Sequence, residues 1–355
     1  MKAGTKAALD ESNLTISHTE LEEFTRKLLE KVGVSHEEAA MVADVMVTCD
    51  CKGMESHGVR WMDIYLKRLT AGSMKPVTNL KVVREKPSLL LLDAQNGLGM
   101  VAFRKAIEMG VEKAKMSGIC AVGVTHSNHC GALGYYAEIA GRARMASMLM
   151  TNAAAMMAPW GGVTGCLGTN PICFGFPTYG DPVIGDMATS ASARGKIFVA
   201  FQRGTNIPDG VALNKNGEPT TDPKEALEGI LLPIGGPKGY SLALAIDIMA
   251  GIMTGSNFGQ NIPSLHGDVE HAQNIGQFAV LFNIDDFLPI GEFLEKMDDS
   301  RRQLKRAQPA KGFSEVCLPG EIEAKTLRER REKGAVIPMG TWNLLQSWAK
   351  KLNVQ

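Results

Sequence analysis

An apolar run at 119–124 passes directly into Thr125-His126-Ser127-Asn128-His129-Cys130-Gly131-Ala132, and a helical pattern opens near Leu133. Short apolar runs bounded by turn residues read as buried strands. A buried strand that ends in polar, glycine-rich sequence before a helix commits the chain to a layered α/β architecture. Open α/β folds place their chemistry at such strand ends. Two histidines, an asparagine and a thiol meet in this loop. Histidine titrates nearest neutral pH and is the usual general acid/base. A loop histidine beside a helix start also serves simply as a cap or a surface contact, so the reading needs support from the rest of the chain.

The surrounding pattern is α/β. Helical periodicity covers 19–32 and 36–51, with Ser35 as N-cap and Glu38 completing a capping box. A third helix is expected from near His57 to Leu69. Strands are expected at 88–92, 119–124, 148–151, 172–176, 183–187, 230–232 and 278–283. Helices are expected at 101–116, through 137–143, at 193–201 and at 240–254. The longest apolar stretch, 242–253, is interrupted by Asp247, is too short to span a bilayer, and reads as a buried helix. Charged amphipathic helices follow at 293–306, 322–333 and 342–351. Segments 202–228 and 255–275 are rich in Gly, Pro and Asn and read as long functional loops.

Composition narrows the function. The formal net charge of zero argues against nucleic-acid and membrane-surface partners, both of which need a basic field. The seven cysteines (49, 51, 120, 130, 166, 173 and 317) are odd in number and form no C-x-x-C pair, which fits reduced thiols and a cytoplasmic location. Residues 1–13 lack the apolar core of a signal peptide.

Several constellations point to an enzyme that handles anions. Gly97-Leu98-Gly99-Met100-Val101-Ala102 has the G-x-G-x-x-A form of a dinucleotide loop. The next strand ends at Val124-Thr125-His126 without the carboxylate that a Rossmann site needs for the ribose, so an ordinary turn before a packing helix is the competing reading. Ser56-His57-Gly58-Val59-Arg60, with Tyr65 beyond it, suits a bound carboxylate, because a guanidinium matches one bidentately. Asp186 closes an expected strand and could orient a histidine, hold ribose hydroxyls or cap a helix. Lys238 lies in a glycine turn at a helix start, suited to a phosphate or anionic substrate, yet lacks the Ser/Thr of a P-loop. Two tight turns, 159–162 and 168–171, bracket either a site or a hairpin. A zinc site using His126, His129 and Cys130 lacks a second ligand cluster, so no metal is expected.

Taken together, the motifs Ser56-His57-Gly58, Ser127-Asn128-His129-x-Gly131, Pro159-Trp160-Gly161-Gly162, Gly168-Thr169-Asn170-Pro171, Asp186-Met187-Ala188-Thr189-Ser190, Pro219-Thr220-Thr221-Asp222-Pro223, Gly235-Gly236-Pro237-Lys238-Gly239-Tyr240 and Leu318-Pro319-Gly320-Glu321 resemble those of the malate/L-lactate dehydrogenase family. The resemblance runs from about Leu14 to the C-terminus. It implies a non-Rossmann NAD(P)-binding mixed-sheet α/β domain, expected at 76–289. It also implies a mainly helical dimerisation part built from both chain ends, 1–75 and 290–355, in a homodimer. By position, His129 matches the family's proton donor/acceptor, with Ser56 and His57 near the substrate. Arg60, Tyr65 and Lys238 are candidate substrate contacts. Asn152, Ala153, Asp186, Met187, Ala188, Lys238, Gly320 and Glu321 are candidate cofactor contacts. The expected substrate is a small 2-hydroxy or 2-oxo acid and the expected cofactor NAD, with NADP open. A cyclic ketimine reductase and a catalytically impaired nucleotide binder are the alternatives. One departure stands out: the family usually has an arginine four residues after the motif histidine, where this chain has Trp61, and Arg60 comes one residue early. One residue along a helix rotates a side chain by about 100°.

Overall fold

The structure is a computed structural model that describes residues 13–354. The leader question at 1–13 falls outside the described residues except for Asn13. In chain order the elements begin with β1 (Asn13–Ile16), α1 (His18–Lys31), α2 (His36–Cys51), α3 (Met62–Ala71), β2 (Lys81–Lys86) and β3 (Leu89–Asp93). Then come α4 (Gly99–Ser117), β4 (Ile119–Ser127), α5 (Leu133–Arg142), β5 (Met145–Thr151), β6 (Ile172–Phe176), β7 (Val183–Met187) and α6 (Arg194–Arg203). The small elements β8 (Ala212–Leu213), β9 (Pro219–Thr220), α7 (Pro223–Glu228) and β10 (Ile230–Leu231) follow. The chain closes with α8 (Pro237–Ile246), β11 (Ile275–Asn283), α9 (Ile290–Lys305), α10 (Glu321–Lys333), β12 (Ala335–Pro338) and α11 (Met339–Leu352).

The main sheet is mixed, in the order β2-β3-β4-β11-β5-β6-β7. Only β3 and β4 run parallel, joined through α4, as a parallel pair requires a long crossover. This is not a Rossmann sheet. The register gathers the carboxyl ends of β3, β4, β5 and β7 and the amino ends of β6 and β11 along one edge: Asp93 faces Thr125, Ile275 faces Ser127, Gln277 faces Thr151, and Ile172 faces Met187. The functional loops leave from that edge.

The chain ends meet. β1 pairs antiparallel with β12, two strands the sequence pattern does not announce. Trp348 Nε1 donates to Asp63 Oδ1 at 2.9 Å, and the rings of Phe24 and Trp342 lie 5.2 Å apart, which ties α11 to α3 and α1. One apolar core runs from this helical end through α4 and α5 into the sheet. A second, smaller core, including Met157, Leu167, Ile197 and Val211, lies under α6, α7 and the three-stranded sheet β10-β8-β9. Segment 202–228 is therefore not a plain loop.

Three local expectations change. Helix α3 does not begin near His57; short 3₁₀ turns at Glu55–His57 and Val59–Trp61 precede it. Ser35 Oγ accepts the Glu38 N–H at 3.3 Å, but the Glu38 carboxylate does not complete the box. It takes the Thr78 N–H at 2.9 Å and faces Lys105 instead. The 242–253 run is not a buried helix: α8 passes into a π turn at Asp247–Ile252, and Leu242, Leu244, Ile248, Ile252 and Met253 are exposed. Asp247 opens the π turn. It is buried, accepts the Gly259 N–H at 3.1 Å, and meets the amides of Asn152 and Asn170 at 3.4 Å.

The G-x-G-x-x-A run is a packing device. A Cβ on Gly99 would lie 1.9 Å from the Asn128 carbonyl oxygen, and one on Gly97 would lie 2.7 Å from Thr78 Cα. The missing side chains let α4 press its start onto the loop after β4. Gly99→Ala should cost about 1–3 kcal/mol through overpacking. Urea denaturation measures it, and an unchanged midpoint would show that the loop yields without cost.

Candidate active site

The loop after β4 is pinned from below. His126 takes a left-handed backbone (φ 47°) and its ring pairs with Asp93 at 3.1 Å. Asn128 is fully buried. Its Nδ2 donates to Asn96 Oδ1 at 2.9 Å and to the Gly97 carbonyl at 2.8 Å, and its carbonyl accepts from Gln277 Nε2 at 3.1 Å. His126 and His129 therefore serve different neighbours and share no ligand set.

His129 enters a cluster of rings. Trp61 lies 4.7 Å away between centroids, and His57 is stacked nearly parallel at 6.1 Å. Beyond Trp61, His266 stacks on the indole at 5.0 Å. Tyr65, buried on α3, donates its hydroxyl proton to the His129 carbonyl at 2.6 Å and stands 3.1 Å from His129 Nδ1. A phenol has one proton to give. With that proton on the carbonyl, the Tyr65 oxygen acts as acceptor toward Nδ1, so Nδ1 carries the hydrogen and Nε2 keeps its lone pair.

The cluster disfavours positive charge. Burial pushes His129 down to about 3, and His57 and His266 push in the same direction. Burial, then Arg60, takes His57 down to about 4. His266 is also lowered, by burial first and by Arg60 next. At neutral pH these rings are uncharged.

The turn that carries Ser56, His57, Arg60 and Trp61 is held by Asp50. Asp50 Oδ2 accepts the Val59 N–H at 2.8 Å, and any Cβ on Gly58 would fall 1.8 Å from Asp50 Oδ1. Burial raises Asp50 to about 7, against the pull of that N–H. Ser56 Oγ and His57 Nδ1 are 2.9 Å apart, and Trp61 Nε1 donates to the Ser56 carbonyl. Arg60 is exposed at the rim.

The other expected residues form separate groups. Asp186 and Met187 end β7, against the 318–321 turn: Ile184 N–H donates to the Pro319 carbonyl at 3.1 Å, and Gly320 (φ 86°) abuts Ile184. Asp186 Oδ2 takes the Gly134 N–H at 2.7 Å, capping α5 from another strand, and burial raises it to about 6. Glu321 accepts from Leu318 N–H and pairs with Lys305. Ala188 follows on the same strand end. Asn152 is buried and occupied, donating to the Asn257 carbonyl at 2.8 Å and accepting from Gly276 N–H at 3.0 Å; the Ala153 N–H is spent on Asn170 Oδ1. Lys238 is exposed at the start of α8, in the glycine turn whose Gly236 lies against Trp160. The 159–162 turn belongs to a hairpin, bridged at Met157 and Leu167.

The structure thus unites His129, His57, Ser56 and Tyr65, with Arg60 at their rim. It gives Lys238 no described contact with them. Sequence reasoning missed Asp50 and His266. A lone aspartate in the apolar face of α2 was the available signal for Asp50; for His266 only the loop around it was marked.

Comparison with known proteins shows the family. The family model described as malate/L-lactate dehydrogenase matches residues 16–346. The L-sulfolactate dehydrogenase of Methanocaldococcus jannaschii is 38% identical over 327 residues, covering 92% of this chain and 94% of the relative. A solved structure of sulfolactate dehydrogenase from that organism superposes with a TM-score of 0.92 at 37% identity, over 96% of this chain and 98% of the other. A malate dehydrogenase of Pyrococcus abyssi is 36% identical, over 99% of this chain and 98% of the relative. An NAD(+) ureidoglycolate dehydrogenase of Escherichia coli O157:H7 is 34% identical, over 91% and 93%. The chain belongs to the malate/L-lactate dehydrogenase family and is a dehydrogenase of that family.

Proposed function

We propose that the chain interconverts a small 2-hydroxy acid and its 2-oxo acid with NAD, and that His129 is the general acid/base. The observation that carries this is the Tyr65 contact, which leaves His129 Nε2 as an uncharged, oriented base. In oxidation, Nε2 accepts the substrate hydroxyl proton. In reduction, the imidazolium returns it to the carbonyl oxygen. Arg60, exposed and acting on both His57 and His266, is the proposed contact of the substrate carboxylate. Ser56, through its contact with His57, orients that second ring.

The edge formed by β7 and the 318–321 turn suits a dinucleotide. Met187 is 44% exposed and offers apolar surface to a base. Asp186, held by the Gly134 N–H, is the proposed partner of the ribose hydroxyls. A carboxylate there repels a 2′-phosphate, which favours NAD over NADP, with Arg194 and Arg203 as the cations that could offset it. Bound there, NAD would accept or return the C2 hydride. The chain-end helices are the proposed homodimer contact, from the family resemblance. All seven cysteines are free thiols, which supports a reducing, cytoplasmic setting. Among the described residues no helix is long and apolar enough to cross a membrane.

His129→Gln should lower turnover by about 10²–10⁴-fold while NADH binding, read by fluorescence, persists; unchanged turnover would remove His129 from the reaction. Tyr65→Phe should cost about tenfold or less, because a neutral hydrogen bond contributes ~1 kcal/mol, and a loss as large as that of His129→Gln would mean that Tyr65 itself moves the proton. The depressed His129 also sets the pH dependence. The base is loaded throughout the neutral range, so kcat/KM for oxidation should show no acid limb near the ordinary histidine pKa of about 6.5. Reduction, which needs the acid form, should slow as pH rises. A His129-dependent oxidation limb near 6.5 would keep His129 as the acid/base and overturn the lowering of its pKa by the ring cluster.

A further inference from the structure

The rings around His129 decide which acid can bind. Trp61 and His57 lie against His129, with His266 stacked on the outer side of Trp61, and all three histidines are held uncharged. The cations that act on the cluster are few. Lys67 and Arg68 act on His266, and Arg68 also on Tyr65. Lys67 is bound to Asp63 at 2.7 Å, and Arg68, buried on α3, spends both terminal nitrogens on the Asp268 and His271 carbonyls. Arg60 acts on His57, His266 and the buried Asp50, and has no hydrogen bond or ion pair within 4 Å among the described residues. One free guanidinium matches one carboxylate. A second anionic group on the substrate would meet an indole and neutral imidazoles, and an unpaired charge against such a wall loses its hydration without recompense.

We infer that this site selects mono-anionic 2-oxo acids with a flat, uncharged side chain, of the arylpyruvate type, over dianionic ones. Trp61 is the residue that sets this choice. Its indole is fixed by Nε1 on the Ser56 carbonyl, so it presents a rigid apolar surface beside the reacting carbon. His266, exposed on the 253–274 loop, is the ring that an incoming side chain can displace from that surface. Stacking on an aromatic surface adds about 0.5–1.5 kcal/mol beyond area burial.

The inference rests on the proposed dehydrogenase reaction, and the test separates the two. NADH oxidation at 340 nm is followed for the wild-type enzyme with pyruvate, phenylpyruvate, oxaloacetate and sulfopyruvate. The expected result is kcat/KM for phenylpyruvate at least tenfold above oxaloacetate and sulfopyruvate, with the difference mainly in KM. Trp61→Arg should narrow or reverse that ratio, and Trp61→Phe should keep it. Faster turnover of a dianionic acid by the wild-type enzyme would overturn the inference and leave the dehydrogenase reading intact. An arylpyruvate preference that survives Trp61→Arg would overturn the role of Trp61. Absence of turnover with every acid while NADH still binds would sink the dehydrogenase reading itself and this inference with it.

Discussion

The buried carboxamide of Asn128 is the joint on which the site depends. It sits where the chain leaves the sheet, and its two donors are committed to the turn between β3 and α4. Gly99 lets that turn close to within van der Waals range of the Asn128 carbonyl, which a side chain would prevent. Gln277, from the central strand, fixes the same carbonyl from the other side. Three segments far apart in sequence therefore converge on one peptide, and the next residue is His129. A hydrogen bond contributes only about 1 kcal/mol net, but a buried partner left unmade costs more than that. The loop position is thus enforced by what its displacement would leave unsatisfied.

Above this joint the chemistry is set by rings instead of charges. Among the described residues no carboxylate is hydrogen-bonded to His129; its hydrogen-bonding neighbour is a phenol that accepts at Nδ1 and donates to the main chain. This arrangement fixes the tautomer without raising the basicity of the ring. Burial and the other two histidines lower it further. The neutral base form is therefore the populated one near neutral pH, and the imidazolium form is scarce.

Much of this was legible in the chain. The strand at Val183–Met187 and the helix at His36–Cys51 fall where periodicity put them, and the failure of G-x-G-x-x-A to find a ribose carboxylate pointed correctly away from a Rossmann sheet. The misses share a cause. β1 and β12 are short and pair only because the chain ends meet, which no local pattern encodes. The turn at 55–61 depends on Asp50 in the preceding helix, and Glu38 leaves its own cap for Thr78 because the backbone there would otherwise be buried unpaired. The apolar run of α8 looked like core, yet Asp247 and the glycines around it serve neighbouring loops. His126 and His129 looked equivalent in sequence; a left-handed residue turned one toward Asp93.

Three buried aspartates perform one task. Asp50 holds the 55–61 turn through Val59, Asp186 holds α5 through Gly134, and Asp247 holds the 257–259 loop through Gly259. Each takes a backbone N–H from another element, and burial raises all three from their ordinary value. A raised carboxyl binds protons in the folded state before the unfolded one, so its contribution to stability grows as pH falls from the folded pKa toward about 4. His57 and His129 act with the opposite sign: their folded pKa values lie below the unfolded one, so stability is lost as pH falls below about 6.5. Over the same acidic range, protonation relieves the buried aspartates of an uncompensated charge while it works against the neutral rings. A carboxyl group, charged or neutral, still offers an oxygen to an N–H. The clamps keep their geometry across that range, and the histidines alone carry the change of charge in the ring cluster.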